Sequence, residues 1–163
     1  GLGDVYKRQG EIRATSYHQG INRAGKESLY SLELADESDG TRRLMSLAPD
    51  MEQVLSRGGV LLVDELEKEM HPMLVEYIVA KFQSPESNPN HAQLIFTNHN
   101  TELLNMELLR KDQLYFVDKS RKDGTSSLYS ISELATPTSE NVRKGYLMGK
   151  YGATPELEIE EVE

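Results

Sequence analysis

Two short apolar runs, each ending in a burst of polar residues, constrain this 163-residue chain more than any other feature. In "GVLLVDELEKEMHP" the stretch Val60 to Val63 is apolar throughout and β-branched at both ends, and it runs straight into Asp64 and Glu65. "AQLIFTNHN" repeats the design: Leu94, Ile95 and Phe96 precede Thr97, Asn98, His99 and Asn100. Apolar runs without alternation are the pattern of strands covered on both faces, as in parallel sheets. Between the two runs, Pro72 suits the first turn of a helix, with Leu74, Tyr77, Ile78 and Phe82 as its buried stripe. Strand, helix, strand predicts an α/β fold with a parallel sheet. In such sheets ligands gather beyond the carboxyl ends of strands, which is where both polar bursts fall.

The rest of the chain is read around that unit. "ESLYSLELADES" alternates and predicts a strand. From Thr41 the period changes: Leu44, Leu47, Ala48, Met51 and Leu55 share one helix face, Pro49 should kink or split that helix, and Arg57-Gly58-Gly59 should stop it. "SPESNPN" is a loop by composition. Thr101 to Leu109 is expected to be helical. "QLYFVDK" and "SSLYSIS", split by Lys122-Asp123-Gly124, predict a β-hairpin. "NVRKGYLMGKYG" predicts a short closing helix with a Gly stop. No internal repeat or second domain is visible.

Composition narrows the function classes. The formal net charge is -9, and five glutamates (Glu156, Glu158, Glu160, Glu161, Glu163) crowd residues 156–163, an acidic tail expected to be solvated. An acidic domain is a poor non-specific binder of nucleic acid; Arg42-Arg43 and Lys119/Arg121/Lys122 leave a small basic contact open. Without cysteine there is no disulfide framework and no Cys-based zinc site. No apolar run reaches the length of a membrane span and no secretory signal is visible, so a soluble cytoplasmic protein is expected. "GLGDVYKRQ" (residues 1–9) reads either as a strand entered mid-domain or as a non-native leader, and is assigned no role.

Three clusters carry chemistry. The chain turns at the end of a strand, so Asp64 and Glu65 can approach one site. One can hold a magnesium ion and the other can deprotonate an attacking water, the two roles that metal-assisted phosphoryl transfer needs. The plainer reading is a capped turn beside an exposed Glu. His99 ends the next run, where it can hydrogen-bond a terminal phosphate; the plainer reading is a surface His. His18, His71 and His91 lack ligand spacing and read as structural. "ESDGTRRL" opens a helix: free N–H groups there favour an anion, and Gly40 would let one approach. An ordinary N-cap by Ser38, Asp39 or Thr41 is the alternative.

In this order, the clusters resemble the ATP-binding-cassette class of P-loop ATPases. Ser38-Asp39-Gly40-Thr41 resembles a signature motif, "VLLVDE" a Walker B strand with its catalytic Glu, "LEKEMHP" the D-loop region and "LIFTNHN" the switch-histidine strand. The stretch "LLRKDQLYFVDK…SLYSISEL…VRKGYLMGKYGATP" is similar to the ends of bacterial AAA-family, ABC-like ATPases of the abortive-infection, phage-defence kind. The resemblance spans about residues 31–155. It implies a P-loop NTPase core, its C-terminal portion, with a terminal β-hairpin and helix over residues 10–155. It further implies ATP and Mg2+ as ligands, with Asp64 on the metal, and Glu65 and His99 as catalytic residues. Ser38, Gly40 and Thr41 would contact nucleotide across a homodimer that sandwiches it, and an effector protein would be a further partner.

Two departures bear on this. No G-x-x-x-x-G-K-[ST] occurs; "GINRAGK" is the nearest string, one residue short and followed by Glu27. The resemblance therefore implies the C-terminal half of a longer ATPase. In the signature, Asp39 stands for a usual Gly and Thr41 for the common Gln. Beside an ATP-driven defence switch stand two other readings: an SMC-like DNA-repair ATPase, which an upstream coiled coil would favour, and a non-catalytic interaction module retaining the fold. A fused Toprim nuclease is disfavoured, because few residues follow the switch strand.

Overall fold

Helix α1 (Asp39–Arg57) begins where Ser38 accepts a hydrogen bond from the Thr41 N–H, and it buries Leu47, Met51 and Leu55 on one face. The computed structural model describes residues 15–134 and 140–154. The predicted leader (1–9) and acidic tail (156–163) lie outside the described residues. The apolar stripe of α1 is the predicted one. Pro49 does not split it: the helix runs through Pro49 in one piece. It stops at Gly58, whose φ of 77° favours glycine. Asn90 caps that end, its Nδ2 donating to the carbonyls of Leu55 and Ser56, so the 84–90 loop closes the helix.

Chain order is β1 (Thr15–Ile21), β2 (Glu27–Glu33), α1, β3 (Val60–Val63), α2 (Pro72–Gln83), β4 (Gln93–Phe96), β5 (Tyr115–Lys119), β6 (Ser126–Ser130) and α3 (Val142–Leu147). The fold is mixed α/β. Its strands form three two-stranded sheets: antiparallel β1–β2, parallel β3–β4 and antiparallel β5–β6. The predicted strand–helix–strand unit is present, with β3 and β4 in parallel register, Val63 opposite Phe96. The β5–β6 hairpin and closing helix α3 also form as expected.

Three expectations are corrected. β3 and β4 are not covered on both faces: Leu62 is 72% exposed and its register partner Ile95 56%, because among the described residues the parallel sheet has two strands and one packed face. In α2 the buried face is Val75, Ile78 and Val79, with Leu74 and Phe82 packed beside it. Tyr77 points outward, under the ammonium of Lys81; a face built on 75, 78, 79 and 82 is the same 3.6-residue stripe rotated away from it. Thr101 to Leu109 is not a helix. A single 3-10 turn covers Thr101–Leu103, and Asn100 and Asn105 each accept from the N–H two residues on, restarting the chain as turns. Leu103 and Leu109 still reach the core.

One core joins these pieces. It runs from Leu47 and Met51 of α1 through Val63, Leu66, Met70 and the α2 face to Phe116, Ile131, Val142 and Tyr151. Phe116 stacks with Tyr146 and Tyr151, which ties the β5–β6 hairpin to α3. Asn88 is buried with both ends of its amide satisfied by the backbone of Phe82 and Ala92.

The β1–β2 hairpin is held differently. Its residues do not enter that core; the Ser16 hydroxyl donates to Glu37 Oε1, and His18 Nε2 lies 2.6 Å from the same oxygen. The Glu37 side chain is 6% exposed. The Ser16 hydroxyl first, and then His18, hold the Glu37 carboxyl below its usual range. A depressed folded-state value contributes stability above the unfolded value, about 4.3, and loses it as pH falls through the folded one. Acidification below that range is therefore expected to loosen the hairpin before the core. Amide exchange of β1 and β2 across pH checks this, and Glu37→Gln should flatten the dependence.

Candidate functional site

The carboxyl ends of β3 and β4 converge. Because the two strands run parallel, in register and with equal length, Asp64 and Thr97 leave the sheet side by side. Three bonds lock them together. The Thr97 hydroxyl donates to Asp64 Oδ1 at 2.5 Å and accepts from the Glu65 N–H at 2.8 Å, and the Leu66 N–H donates to the Thr97 carbonyl at 3.1 Å. Leu66 then plunges into the core, 1% exposed. Between the threonine lock and this anchor, Glu65 takes a left-handed backbone, φ 49°, a conformation that costs a non-glycine residue energy and is concentrated at functional sites.

That backbone turns the Glu65 carboxylate toward His99, whose Nε2 lies 3.7 Å from Glu65 Oε1; the two side chains are 42% and 80% exposed. Lys68 Nζ lies 3.6 Å from the other Glu65 oxygen, an exposed pair worth little in stability. The His99 N–H donates to Glu67 Oε1 at 2.6 Å. The structure thus brings Asp64, Glu65 and His99 to one place, as their positions in the sequence suggested, and adds Thr97 and Glu67. Thr97 was legible in principle: two equal apolar runs in parallel register set the first polar residue of one beside that of the other. Glu67 had no such signal.

The first turn of α1 reaches this region by two contacts. Arg43 Nη2 donates to the Asp64 carbonyl at 3.3 Å. A β-carbon on Gly40 would lie 2.7 Å from the Glu69 carbonyl oxygen, so glycine there lets the helix start pack against the loop after Glu65. Ser38 Oγ accepts from the Thr41 N–H and lies 2.9 Å from the Thr41 hydroxyl, which is the N-cap arrangement. Of the other histidines, His18 pairs with Glu37 and His71 caps α2, accepting from the Met73 N–H.

The ligand chemistry can be tested against these groups. Among the described residues no cluster of three acidic or His side chains forms a metal cage. Magnesium in phosphoryl-transfer sites takes one or two carboxylates and completes its shell with water and phosphate oxygens. Asp64, exposed and oriented by Thr97, fits that role. "GINRAGK" does not fit a phosphate loop. It is the β1–β2 turn, in which Asn22 Oδ1 already accepts the N–H groups of Ala24 and Lys26, and the Asn22 carbonyl that of Gly25. Those N–H groups are not available to cradle phosphate. No helix among the described residues is long and apolar enough to cross a membrane.

An Asp-Glu pair at one strand end thus faces a His at the next, in a mixed α/β chain. The sequence matches, over residues 4–105, the family described as "AAA domain, putative AbiEii toxin, Type IV TA system". The chain belongs to this family of AAA-type ATPase domains, whose members generally use ATP and Mg2+. No solved structure matches it.

Proposed function

We propose that this chain is the C-terminal half of an ATP-binding, ATP-hydrolysing ABC-like AAA protein that works as an ATP-driven dimeric switch in phage defence. The observation that carries the reading is the meeting of Asp64, Glu65 and His99 at the carboxyl ends of β3 and β4. Each has one task in it. Asp64 is the protein ligand of magnesium, its orientation fixed by Thr97. When bound, magnesium neutralises charge on the transferring phosphoryl group. Glu65 takes the proton of the attacking water. His99 hydrogen-bonds the terminal phosphate and registers its departure.

Two further features support the reading. Val60, Leu62 and Ile95 form an exposed apolar face on a sheet of two short strands; sheets so small are marginal alone. Further strands of the longer protein would cover and extend it, and would bring the phosphate-cradling loop that the β1–β2 turn is not. The start of α1 carries exposed or half-buried Ser38, Gly40 and Thr41, which in a homodimer would meet the nucleotide held by the other subunit. An effector protein would read the dimer's state.

The test is calorimetric titration of the full-length protein with ATP, with and without magnesium. Wild type should bind Mg-ATP. Asp64→Asn should lose roughly tenfold or more of the magnesium-dependent affinity, as expected for a charged contact removed, and keep its magnesium-free binding. Equal Mg-ATP affinity in both would take the metal away from Asp64. Absence of any ATP binding by the wild type would end the ATPase reading.

A further inference from the structure

Glu67 is an acid placed where neither metal ligand nor base is needed. It follows the fully buried Leu66, and its backbone is fixed by that anchor and by two turns, the Lys68 N–H on the Glu65 carbonyl and the Met70 N–H on its own. Its carboxylate spans to the other strand end. Oε1 accepts the His99 N–H at 2.6 Å, while Oε2 is buried without a protein partner. A buried polar atom left unpaired is costly, and its presence in a native fold calls for a reason. On the far side of His99 the loop is already tied: the Asn98 amide donates to the Asn100 carbonyl, and Asn100 Oδ1 accepts from the Glu102 N–H at 2.9 Å. The His99 N–H is the backbone group between these ties, and an ionised carboxylate makes a shorter, stronger bond to it than a neutral acceptor would.

We propose that Glu67 is a positioning residue: its bond to the His99 backbone sets the imidazole opposite Glu65. The proposal rests on the ATPase reading for its catalytic consequence, but not for its geometry. Glu67 touches no reacting atom; it acts through His99. Because it sits two residues after Glu65 on the same loop, the general base and the switch histidine share one rigid support. Movement of either strand end would change their separation together.

Three variants of the full-length protein test this. Glu67→Ala removes the acceptor. Glu67→Asp keeps the charge, and thereby the surroundings, but is one methylene too short to reach. Glu67→Gln keeps an oxygen at the right distance. The first readout is the His99 amide in NMR spectra. In Glu67→Ala and Glu67→Asp its proton should move upfield and exchange roughly tenfold or more faster, the measure of one charged hydrogen bond lost; Glu67→Gln, a neutral acceptor at the same reach, should fall between these and wild type. The second is steady-state kinetics: kcat should fall in the Ala and Asp variants with KM for ATP little changed, and Gln should restore part of it. An unchanged His99 amide in Glu67→Asp overturns the proposal, whether or not Glu67→Ala folds. A shifted amide with kcat intact also overturns it, leaving Glu67 a loop staple. If the wild type hydrolyses no ATP, the ATPase reading fails, and an unchanged amide in Glu67→Asp still overturns the bond on which the placement of His99 depends.

Discussion

Glu65→Gln should leave the full-length protein able to bind Mg-ATP and unable to turn it over at more than a small fraction of the wild-type rate. The substitution keeps the side chain's length and a hydrogen-bonding oxygen, so the left-handed turn at residue 65 and the approach to His99 have no reason to change. What is lost, on the proposed reading, is proton acceptance. Loss of a general base costs roughly 10²–10⁴-fold in rate, about 3–5 kcal/mol of barrier. Binding should survive because the metal is assigned to Asp64, whose oxygen is held by Thr97 and not by Glu65. The variant should then accumulate as an ATP-bound dimer. Rates of phosphate release and dimer mass by light scattering are the measurements. Wild-type hydrolysis by Glu65→Gln would remove the paired-carboxylate chemistry and leave the end of β3 an ordinary turn.

The parts of this arrangement that could be read in advance are those governed by period and register. The α1 stripe of Leu47, Met51 and Leu55 follows from 3.6-residue spacing, and survives Pro49 because tertiary burial of that face outweighs one missing backbone bond. The meeting of Asp64 and Glu65 with His99 follows from two equal apolar runs joined by a helix, since parallel register leaves their ends adjacent. Other features depend on contacts that no local pattern encodes. Apolar strands look alike whether one face or two are covered, so the exposure of Leu62 and Ile95 was hidden. Tyr77 satisfies the same periodicity test as its neighbours, and only packing turns it outward. Asn105 looks like any polar residue in a helix until its side chain takes the Glu107 N–H. Glu67 was one of three glutamates in "ELEKE", and nothing in the string separates the one that bonds the His99 backbone.

The same string hides a core residue, and its removal should have the largest effect on stability. Leu66→Ala is expected to destabilise the fold by about 2–5 kcal/mol, the usual range for a leucine truncated in a packed core. In sequence Leu66 lies between two glutamates and looks solvated. In the structure it is 1% exposed and belongs to the cluster that includes Val63, Met70 and the α2 face. For a domain of this size each kcal/mol moves the melting midpoint about 2–4 °C, so thermal unfolding followed by circular dichroism should fall by about 4–20 °C. Leu66→Met, which nearly conserves volume, should cost less than about 1.5 kcal/mol. A midpoint unchanged in Leu66→Ala would mean that residue 66 is not packed as described. The consequence extends past stability, because the N–H of Leu66 bonds the Thr97 carbonyl while its side chain fills the core. With the side chain gone, the backbone on either side loses its fixed point. Glu65 can then relax from its left-handed conformation, and Glu67 can withdraw from His99. On the proposed ATPase reading, Leu66→Ala, assayed well below its melting point, should therefore also lose turnover, although the Leu66 side chain lies in the core. The acidic end of β3 keeps its shape because the leucine between its glutamates is anchored in the core.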